Sequence, residues 1–428
     1  MPIAVKKLLL LIVLIVIFPA QVRDHKTVAN LTPATGEPER EDAPLQSLSN
    51  YKEILLSRGH SLDDLGVVIE TLDGKLRLAE HNPSITFNPA SVMKLATSLV
   101  ALARLGPDFR YRTDFLADGT LDAETRKIEG DLVVEGVTDP MFSATDGQEV
   151  AAELSRLGVS RVTGALRISG AFYYYARGYT SNLSRETSAK KLRTVIENAG
   201  IKIDGETVFG DKAGTVLLSH YSEPLVKILL YQNAHSSNAV AEVVGESVGG
   251  PQAIQSFLVQ RAGLRDSEIY VGHSSGLEFN RITPEASIRV LRALVTALSN
   301  YALKAEDVMP IAGIDSGTLR VRLGREDIRG AVIAKTGTLV SIDNGVSTLV
   351  GIANTKEHGP LLFAIFNSSG DINTYRRLQD HFVEELIAEE GGAVRLPRSE
   401  DALADETRGS IIQVRYKKQS KPTDNAAD

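Results

Sequence analysis

Ser91 and Lys94 have the residue types and the spacing of a nucleophile and its base. Positions three apart share one face of a helix, so a helix beginning near Pro89 would bring the lysine amine to the serine hydroxyl. A serine hydroxyl becomes a good nucleophile only when a neighbouring base takes its proton. A lysine can be that base when it is uncharged, and burial lowers its pKa. The apolar run over residues 95–102 would supply the burial.

The Ser-x-x-Lys pattern has little specificity by itself, because it occurs three times in the chain, starting at Ser49, Ser91 and Ser188. A pair of this kind is by default a solvated serine and lysine on a helix surface. The copy at Ser91 therefore needs support from other segments.

Two other segments give that support. Ser236-Ser237-Asn238 falls between two predicted helices and is the only Ser-x-Asn in the sequence. Lys335-Thr336-Gly337-Thr338 is predicted at the end of a strand, where glycine lets a ligand lie against the backbone. Ser-x-x-Lys, Ser-x-Asn and Lys-Thr-Gly in this order resemble the signature of serine β-lactamases and penicillin-binding proteins.

Further segments narrow the resemblance to one family. They are similar to landmarks of the class C low-molecular-mass penicillin-binding proteins, the D-alanyl-D-alanine carboxypeptidase/endopeptidases, over residues 65–385. The segments are Leu105-Gly106-Pro107-Asp108-Phe109-Arg110, Gly130-Asp131-Leu132-Val133, Asp139-Pro140, Ser275-Gly276-Leu277 with Asn280-Arg281, and Pro310-Ile311-Ala312-Gly313.

The order of predicted elements indicates an α+β fold. Strands near both chain ends with helices between them predict one antiparallel sheet assembled from the two ends and flanked by helices. The resemblance implies a serine β-lactamase/transpeptidase-like domain with a small α/β insertion domain. The expected divisions are a signal peptide or anchor at 1–20, a linker at 21–50, a catalytic domain at 51–112 and 201–396, an insertion at 113–200 and a disordered tail at 397–428.

The resemblance also implies roles for individual residues. Ser91 would attack the carbonyl of the penultimate residue of a peptide ending in D-alanine, and Lys94 would take its proton. The expected catalytic residues are Ser91, Lys94, Ser236, Asn238 and Lys335, and the expected substrate-binding residues are Thr336, Gly337, Thr338 and Asp139. The backbone N–H groups of Ser91 and Thr338 would form the oxyanion hole.

The remaining residues would contact the leaving amine, the terminal carboxylate and other parts of the substrate. Ser236 would relay a proton to the leaving amine, and Asn238 would hold the amide of the substrate. Lys335, with Thr336 and Thr338, would bind the terminal carboxylate. Asp139 would read the diamino acid of the peptide.

The chain departs from the family pattern at three places. The 145-residue spacing from Ser91 to Ser236 leaves room for only a modest insertion, whereas long members carry two inserted subdomains. His273-Ser274 replaces the Asp-Gly that precedes Ser-Gly-Leu in the family. No Glu-x-x-Leu-Asn follows the second motif, so the deacylating glutamate of class A β-lactamases has no counterpart and we expect slow β-lactam hydrolysis.

Composition excludes several classes of function. A net charge of −7 disfavours nucleic-acid binding. The chain has no cysteine, and its eight histidines show no paired spacing, so we predict no metal site and no cofactor. The family resemblance implies the stem peptides of peptidoglycan as partners, with β-lactam antibiotics as covalent inhibitors.

The first residues predict export. Lys6 and Lys7 precede an apolar run over residues 8–18, which is short for a membrane span and suits a secretory signal. Phe18 is a poor residue for signal cleavage before Ala20, so an uncleaved anchor that tethers the protein to the membrane is the alternative. Both readings place the rest of the chain in the periplasm or on the outer face of the cytoplasmic membrane.

Two alternatives to the peptidase remain at this point. One is a catalytically retired envelope protein that binds peptidoglycan through an intact cleft, which the change at His273 and the short insertion would suit. The other is a β-lactamase or esterase on the same fold.

Overall fold

The computed structural model describes residues 38–40, 44–122, 124–175, 183–404 and 409–416. Within these residues the helices are α1 Gln46–Ser57, α2 Met93–Leu105, α3 Ala144–Arg156, α4 Arg185–Asn198, α5 Leu225–His235, α6 Asn238–Ser247, α7 Gly250–Arg261, α8 Pro284–Ser299 and α9 Ile372–Glu389. The strands are β1 Glu39–Arg40, β2 Leu65–Thr71, β3 Leu76–His81, β4 Arg112–Asp122, β5 Lys127–Gly136, β6 Arg161–Val162, β7 Leu166–Gly170, β8 Lys202–Ile203, β9 Thr207–Phe209, β10 Thr215–Tyr221, β11 Ile269–Tyr270, β12 Arg281–Ile282, β13 Val332–Leu339, β14 Val346–Asn354, β15 Pro360–Asn367 and β16 Ile411–Val414.

The main sheet is built from the two ends of the chain, as predicted. Its strand order is β1-β3-β2-β15-β14-β13, so strands near the N-terminus lie beside strands near the C-terminus. All neighbouring pairs are antiparallel except the short parallel pair of β1 with β3. With helices on both faces, the fold is α+β and the predicted fold class is confirmed.

Side chains of β2 alternate between the two layers that cover the sheet. Val67 and Ile69 face a core shared with α1 and α9, where Tyr51 stacks on Phe382 with ring centroids 4.9 Å apart. Val68 faces the opposite core, which contains buried residues of α2, α5, α6 and α8. Successive residues of a strand point to opposite faces, so the continuous apolar run of β2 fits a strand covered on both sides.

A second sheet forms the insertion, and it is larger than predicted. Its main order is β16-β10-β4-β5-β6-β8, with β7 and β9 alongside, and α3 and α4 contribute to its own hydrophobic core. β10 pairs with β4 from Tyr221 opposite Arg112 to Thr215 opposite Ala117. The insertion therefore ends near residue 221 rather than 200, because the returning strand must lie beside the departing one.

The predicted disordered tail is wrong for residues 411–414. They form β16, which pairs with β10 and covers what would otherwise be an open edge of the second sheet. The tail is charged, but Ile411, Ile412 and Val414 give this short piece the apolar residues that a strand needs.

Two other predicted boundaries concern the N-terminal region. The targeting segment at 1–20 lies outside the described residues, as does most of the linker. The linker prediction fails at its end, since α1 already begins at Gln46. Across the part of the chain that is described, no helix combines the length and the apolar character needed to cross a membrane.

Candidate active site

Ser91 lies in a constrained turn at the start of α2. One turn of 3₁₀ helix, Ala90–Val92, precedes the α-helix. Ala90 has a φ of +47°, which is costly for a residue with a Cβ. The side chain of Asn88 accepts a hydrogen bond from the Ala90 N–H at 2.9 Å, and Thr348 donates to the Pro89 carbonyl at 2.9 Å. The predicted helix near Pro89 is present, and contacts from outside it hold its first turn.

Lys94 is fully buried and has three polar neighbours. Its Nζ lies 2.9 Å from the Ser91 Oγ, 2.7 Å from the Asn238 Oδ1 and 2.7 Å from the Ser275 carbonyl oxygen. Burial lowers the pKa of Lys94 well below its ordinary value, and the positive charge of Lys335 lowers it further. The site therefore favours an uncharged amine beside Ser91.

Ser236 and Lys335 form a second pair. Ser236 ends α5 in a left-handed conformation, with φ 54° and ψ 38°, and Ser237 caps the following helix by accepting from the Val240 N–H. The Lys335 Nζ lies 2.9 Å from the Ser236 Oγ and donates to the Thr336 carbonyl at 2.7 Å. Burial lowers the pKa of Lys335 to about 7.

Lys335-Thr336-Gly337-Thr338 lies within β13, which continues to Leu339, rather than at the end of a strand. Gly337 allows this strand to lie against the Ser91 turn. A Cβ at this position would be 2.5 Å from the Pro89 oxygen and 2.1 Å from the Thr348 Oγ1. Only glycine fits so close an approach of two backbones.

The hydroxyls that flank Gly337 each have a defined partner. Thr336 donates to the Thr318 Oγ1 at 2.9 Å. Arg376, from α9, donates to the Thr338 Oγ1 at 2.8 Å. A hydroxyl that accepts this bond can direct its own hydrogen towards a ligand.

Sequence reasoning missed three residues that contact this network: Ser275, Glu242 and Arg376. Ser275 offers its backbone carbonyl rather than its side chain to Lys94, and backbone roles leave no trace in residue type. Its position within the Ser275-Gly276-Leu277 landmark was the one signal available. Glu242 lies one helical turn after Asn238, a spacing that could have indicated it.

Asp139 lies in the insertion and is buried. Its carboxylate accepts from the Met141 N–H at 2.8 Å, and its Oδ2 lies 3.9 Å from the Nδ1 of His220. Neither partner belongs to the Ser91, Lys94 or Lys335 network. The role of Asp139 in reading the substrate thus stays a prediction.

Among the residues that the structure describes, no group of three or more His, Asp or Glu side chains is placed to hold a metal ion.

A model of one peptidase family matches residues 50–182 and 175–386, which together span most of the chain and contain all three motifs. The chain belongs to the D-Ala-D-Ala carboxypeptidase 3 (S13) family. The family predicted from the landmarks is thereby confirmed, and with it a serine-type D-Ala-D-Ala carboxypeptidase/endopeptidase.

Two curated relatives are similar over most of their length. The D-alanyl-D-alanine carboxypeptidase DacB of Haemophilus influenzae is 21% identical over 427 residues, covering 73% of this chain and 87% of the relative. The carboxypeptidase DacB of Mycolicibacterium smegmatis is 24% identical over 367 residues, covering 72% of this chain and 77% of the relative.

Solved structures show the same fold. Bd3459, a predatory peptidoglycan endopeptidase from Bdellovibrio bacteriovorus, superposes with a TM-score of 0.65 at 23% identity, covering 78% of this chain and 95% of that chain. Penicillin binding protein 4 of Haemophilus influenzae superposes with a TM-score of 0.63 at 20% identity, covering 76% of this chain and 96% of that chain.

Proposed function

We propose that this S13 peptidase acts on the stem peptides of peptidoglycan through an acyl-enzyme on Ser91, removing terminal D-alanine and cleaving D-alanyl cross-links. The observation that carries the proposal is the buried Lys94 amine, which lies between the Ser91 hydroxyl and two oxygen acceptors. An amine in this setting is suited to take a proton from the serine.

The contacts of Lys94 fit a neutral base. A neutral amine has two hydrogens and one lone pair. The amide oxygen of Asn238 and the carbonyl oxygen of Ser275 only accept hydrogen bonds, so they take the two hydrogens. The lone pair then faces the Ser91 hydroxyl, which donates to it. When Ser91 Oγ bonds to the substrate carbonyl carbon, its proton moves to Lys94.

The leaving amine needs a proton as the C–N bond breaks. Ser236 is the proposed donor, and it recovers a proton through Lys335, 2.9 Å away. Water then attacks the acyl carbon, and Lys94 returns its proton to the Ser91 oxygen as the acyl–oxygen bond breaks. The proton that the water releases restores Lys335. Ser91 and Thr338 would stabilise the oxyanion through their backbone N–H groups, and the close packing of β13 on the Ser91 turn supports this assignment.

The terminal carboxylate would bind at β13. Lys335 supplies the charge and Thr338 supplies a hydroxyl donor, while Thr336 would turn its hydroxyl hydrogen from Thr318 to the carboxylate. The bound carboxylate favours the charged form of Lys335, whose pKa burial alone lowers to about 7.

The proposal extends to inhibitors and location. β-Lactams would acylate Ser91 as substrate mimics, which is supported by a structure of the Bdellovibrio endopeptidase Bd3459 acylated by penicillin G. Family members act on the cell wall, so we place the enzyme in the periplasm or on the outer face of the cytoplasmic membrane.

Intact-mass measurement after incubation with benzylpenicillin tests the nucleophile. The wild-type protein should gain the mass of one penicillin, and Ser91→Ala should gain none. Ser49→Ala is the matched control, because Ser49 begins another Ser-x-x-Lys copy and its hydroxyl donates to the carbonyl of Leu45, which caps the same helix. An adduct on Ser91→Ala would contradict the assignment.

Digestion of purified peptidoglycan tests the substrate. The products, identified by mass, should show stem peptides shortened by D-alanine and cross-linked dimers converted to monomers. Unchanged peptidoglycan with an enzyme that still binds penicillin would refute the substrate but not the nucleophile.

A further inference from the structure

Residues 273–277 form a loop, here called the 273–277 loop, that presents backbone carbonyls to α2. The Ser275 carbonyl accepts from the Lys94 Nζ at 2.7 Å, and the Ser274 carbonyl accepts from the Thr97 hydroxyl at 2.6 Å. Gly276, at φ +82°, lies so close to the Ser91 turn that a Cβ would be 1.9 Å from the Ala90 oxygen. A small movement of this loop would therefore change the hydrogen bond between the Ser275 carbonyl and the Lys94 amine.

Glu242 holds the opposite side of the same loop. One of its carboxylate oxygens accepts from the Ser275 N–H at 3.0 Å, and the other accepts from the Ser274 N–H at 3.3 Å. Such charge-assisted bonds are stronger than those between neutral groups. Glu242 lies four residues after Asn238 on α6, so one helix face carries both the Asn238 acceptor of Lys94 and the group that fixes the Ser275 acceptor.

The charged groups around this pair are few in the described structure. Lys335 and Glu242 act on Lys94 from β13 and α6, with opposite signs. On the solvent side, His273 Nδ1 lies 3.9 Å from Glu242, and His273 Nε2 lies 3.4 Å from Glu278. His273 and Glu278 are exposed enough for water and salt to screen them, whereas Lys94 is buried.

We infer that Glu242 is a positioning residue for acylation, which holds the Ser275 carbonyl against Lys94 and sets the electrostatic balance of that amine against Lys335. The inference rests on the proposed function, since it assigns to Glu242 the orientation of the proposed base. Glu242 acts through the loop and through its charge, and it does not touch the reacting atoms.

Two substitutions separate the effect of the negative charge of Glu242 from the effect of its side-chain length. Glu242→Gln removes the negative charge that opposes Lys335, so the pKa of Lys94 should fall further. The acid limb of the acylation profile, where the rate rises with pH as Lys94 deprotonates, should then move to lower pH by about half a unit or more. Glu242→Asp keeps the charge but is one methylene shorter. It should leave the acid limb in place and lower the plateau rate roughly tenfold, the equivalent of one hydrogen bond.

The experiment measures the second-order rate of acylation by a fluorescent penicillin between pH 4.5 and 9 with the full chain. Glu246→Gln is the matched control, because Glu246 is exposed on the same helix and its loss changes the net charge equally. Thermal unfolding of each variant reports whether the fold is retained. The inference predicts a shift for Glu242→Gln and none for Glu246→Gln.

An unchanged acid limb in Glu242→Gln would overturn the inference, even with a reduced plateau, because a purely structural role would lower the rate without moving the profile. Equal shifts in Glu242→Gln and Glu246→Gln would also overturn it. NMR titration of lysine side chains, with Lys94 assigned by substitution, gives the same comparison without acylation. A wild-type protein that fails to react with penicillin would therefore count against the proposed function and leave the inference testable.

Discussion

Replacing Asn238 by aspartate changes one atom type and adds a negative charge beside the proposed base. Asn238 Oδ1 lies 2.7 Å from the Lys94 Nζ. In the wild type a neutral amide accepts one hydrogen of a neutral amine. In Asn238→Asp the same position holds a carboxylate, which favours a protonated Lys94. A protonated lysine has no lone pair for the Ser91 hydroxyl, so acylation should need a higher pH than in the wild type.

The distance sets the size of the effect. Two unit charges 2.7 Å apart attract by about 6 kcal/mol at an effective dielectric constant of ~20. Desolvation of the new carboxylate in this half-buried position offsets part of the attraction. If a third remains, about 2 kcal/mol, the pKa of Lys94 rises by about 1.5 units, and the neutral fraction falls about 30-fold at pH values below the wild-type pKa.

The assay is the acylation rate by a fluorescent penicillin measured across pH 5–10. Asn238→Asp should lose about 30-fold at pH values below the wild-type pKa of Lys94 and recover as the pH rises and Lys94 deprotonates, so its profile should shift to higher pH by about 1.5 units. Asn238→Ala removes the acceptor without adding charge, so its rate should fall about tenfold with no alkaline shift. Wild-type rates and an unshifted profile in a folded Asn238→Asp protein would refute neutral Lys94 as the base.

Two other predictions concern residues of β13, namely the charge of Lys335 and the close packing at Gly337. Because burial lowers the pKa of Lys335 to about 7, the amine is charged below that pH and neutral above it, so kcat/KM for a peptide ending in a D-alanine carboxylate should decline as pH rises through about 7. The corresponding peptide amide should decline less, because only the proton transfer to Ser236 then depends on Lys335, and identical profiles for the two peptides would argue against Lys335 as the carboxylate partner. Gly337→Ala should destabilise the protein by about 1–3 kcal/mol and suppress penicillin labelling, because the new Cβ would lie 2.1 Å from the Thr348 Oγ1. Thermal unfolding checks this against Gly324→Ala, whose Cβ would have no neighbour nearer than 3.8 Å, and equal stability of the two variants would contradict the close approach.

The sequence was most informative where the chemistry is local. Ser91 and Lys94 are three residues apart, so helix geometry alone predicts their contact, and the structure has it at 2.9 Å. The main sheet was also predictable, because continuous apolar runs near both ends of the chain require burial on both faces. The insertion boundary and β16 were not, since pairing of β10 with β4 and β16 joins segments whose individual patterns are short and weak.

By itself the sequence determined which side chains are available for chemistry, their order and the family to which they belong. Only the tertiary structure decided that Lys94 is buried and that a carbonyl 181 positions away accepts one of its hydrogens. It likewise brought Lys335 to Ser236 across 99 positions. The reason is physical: a residue type fixes what a group can donate or accept, whereas its charge state and its partner depend on what the fold packs around it.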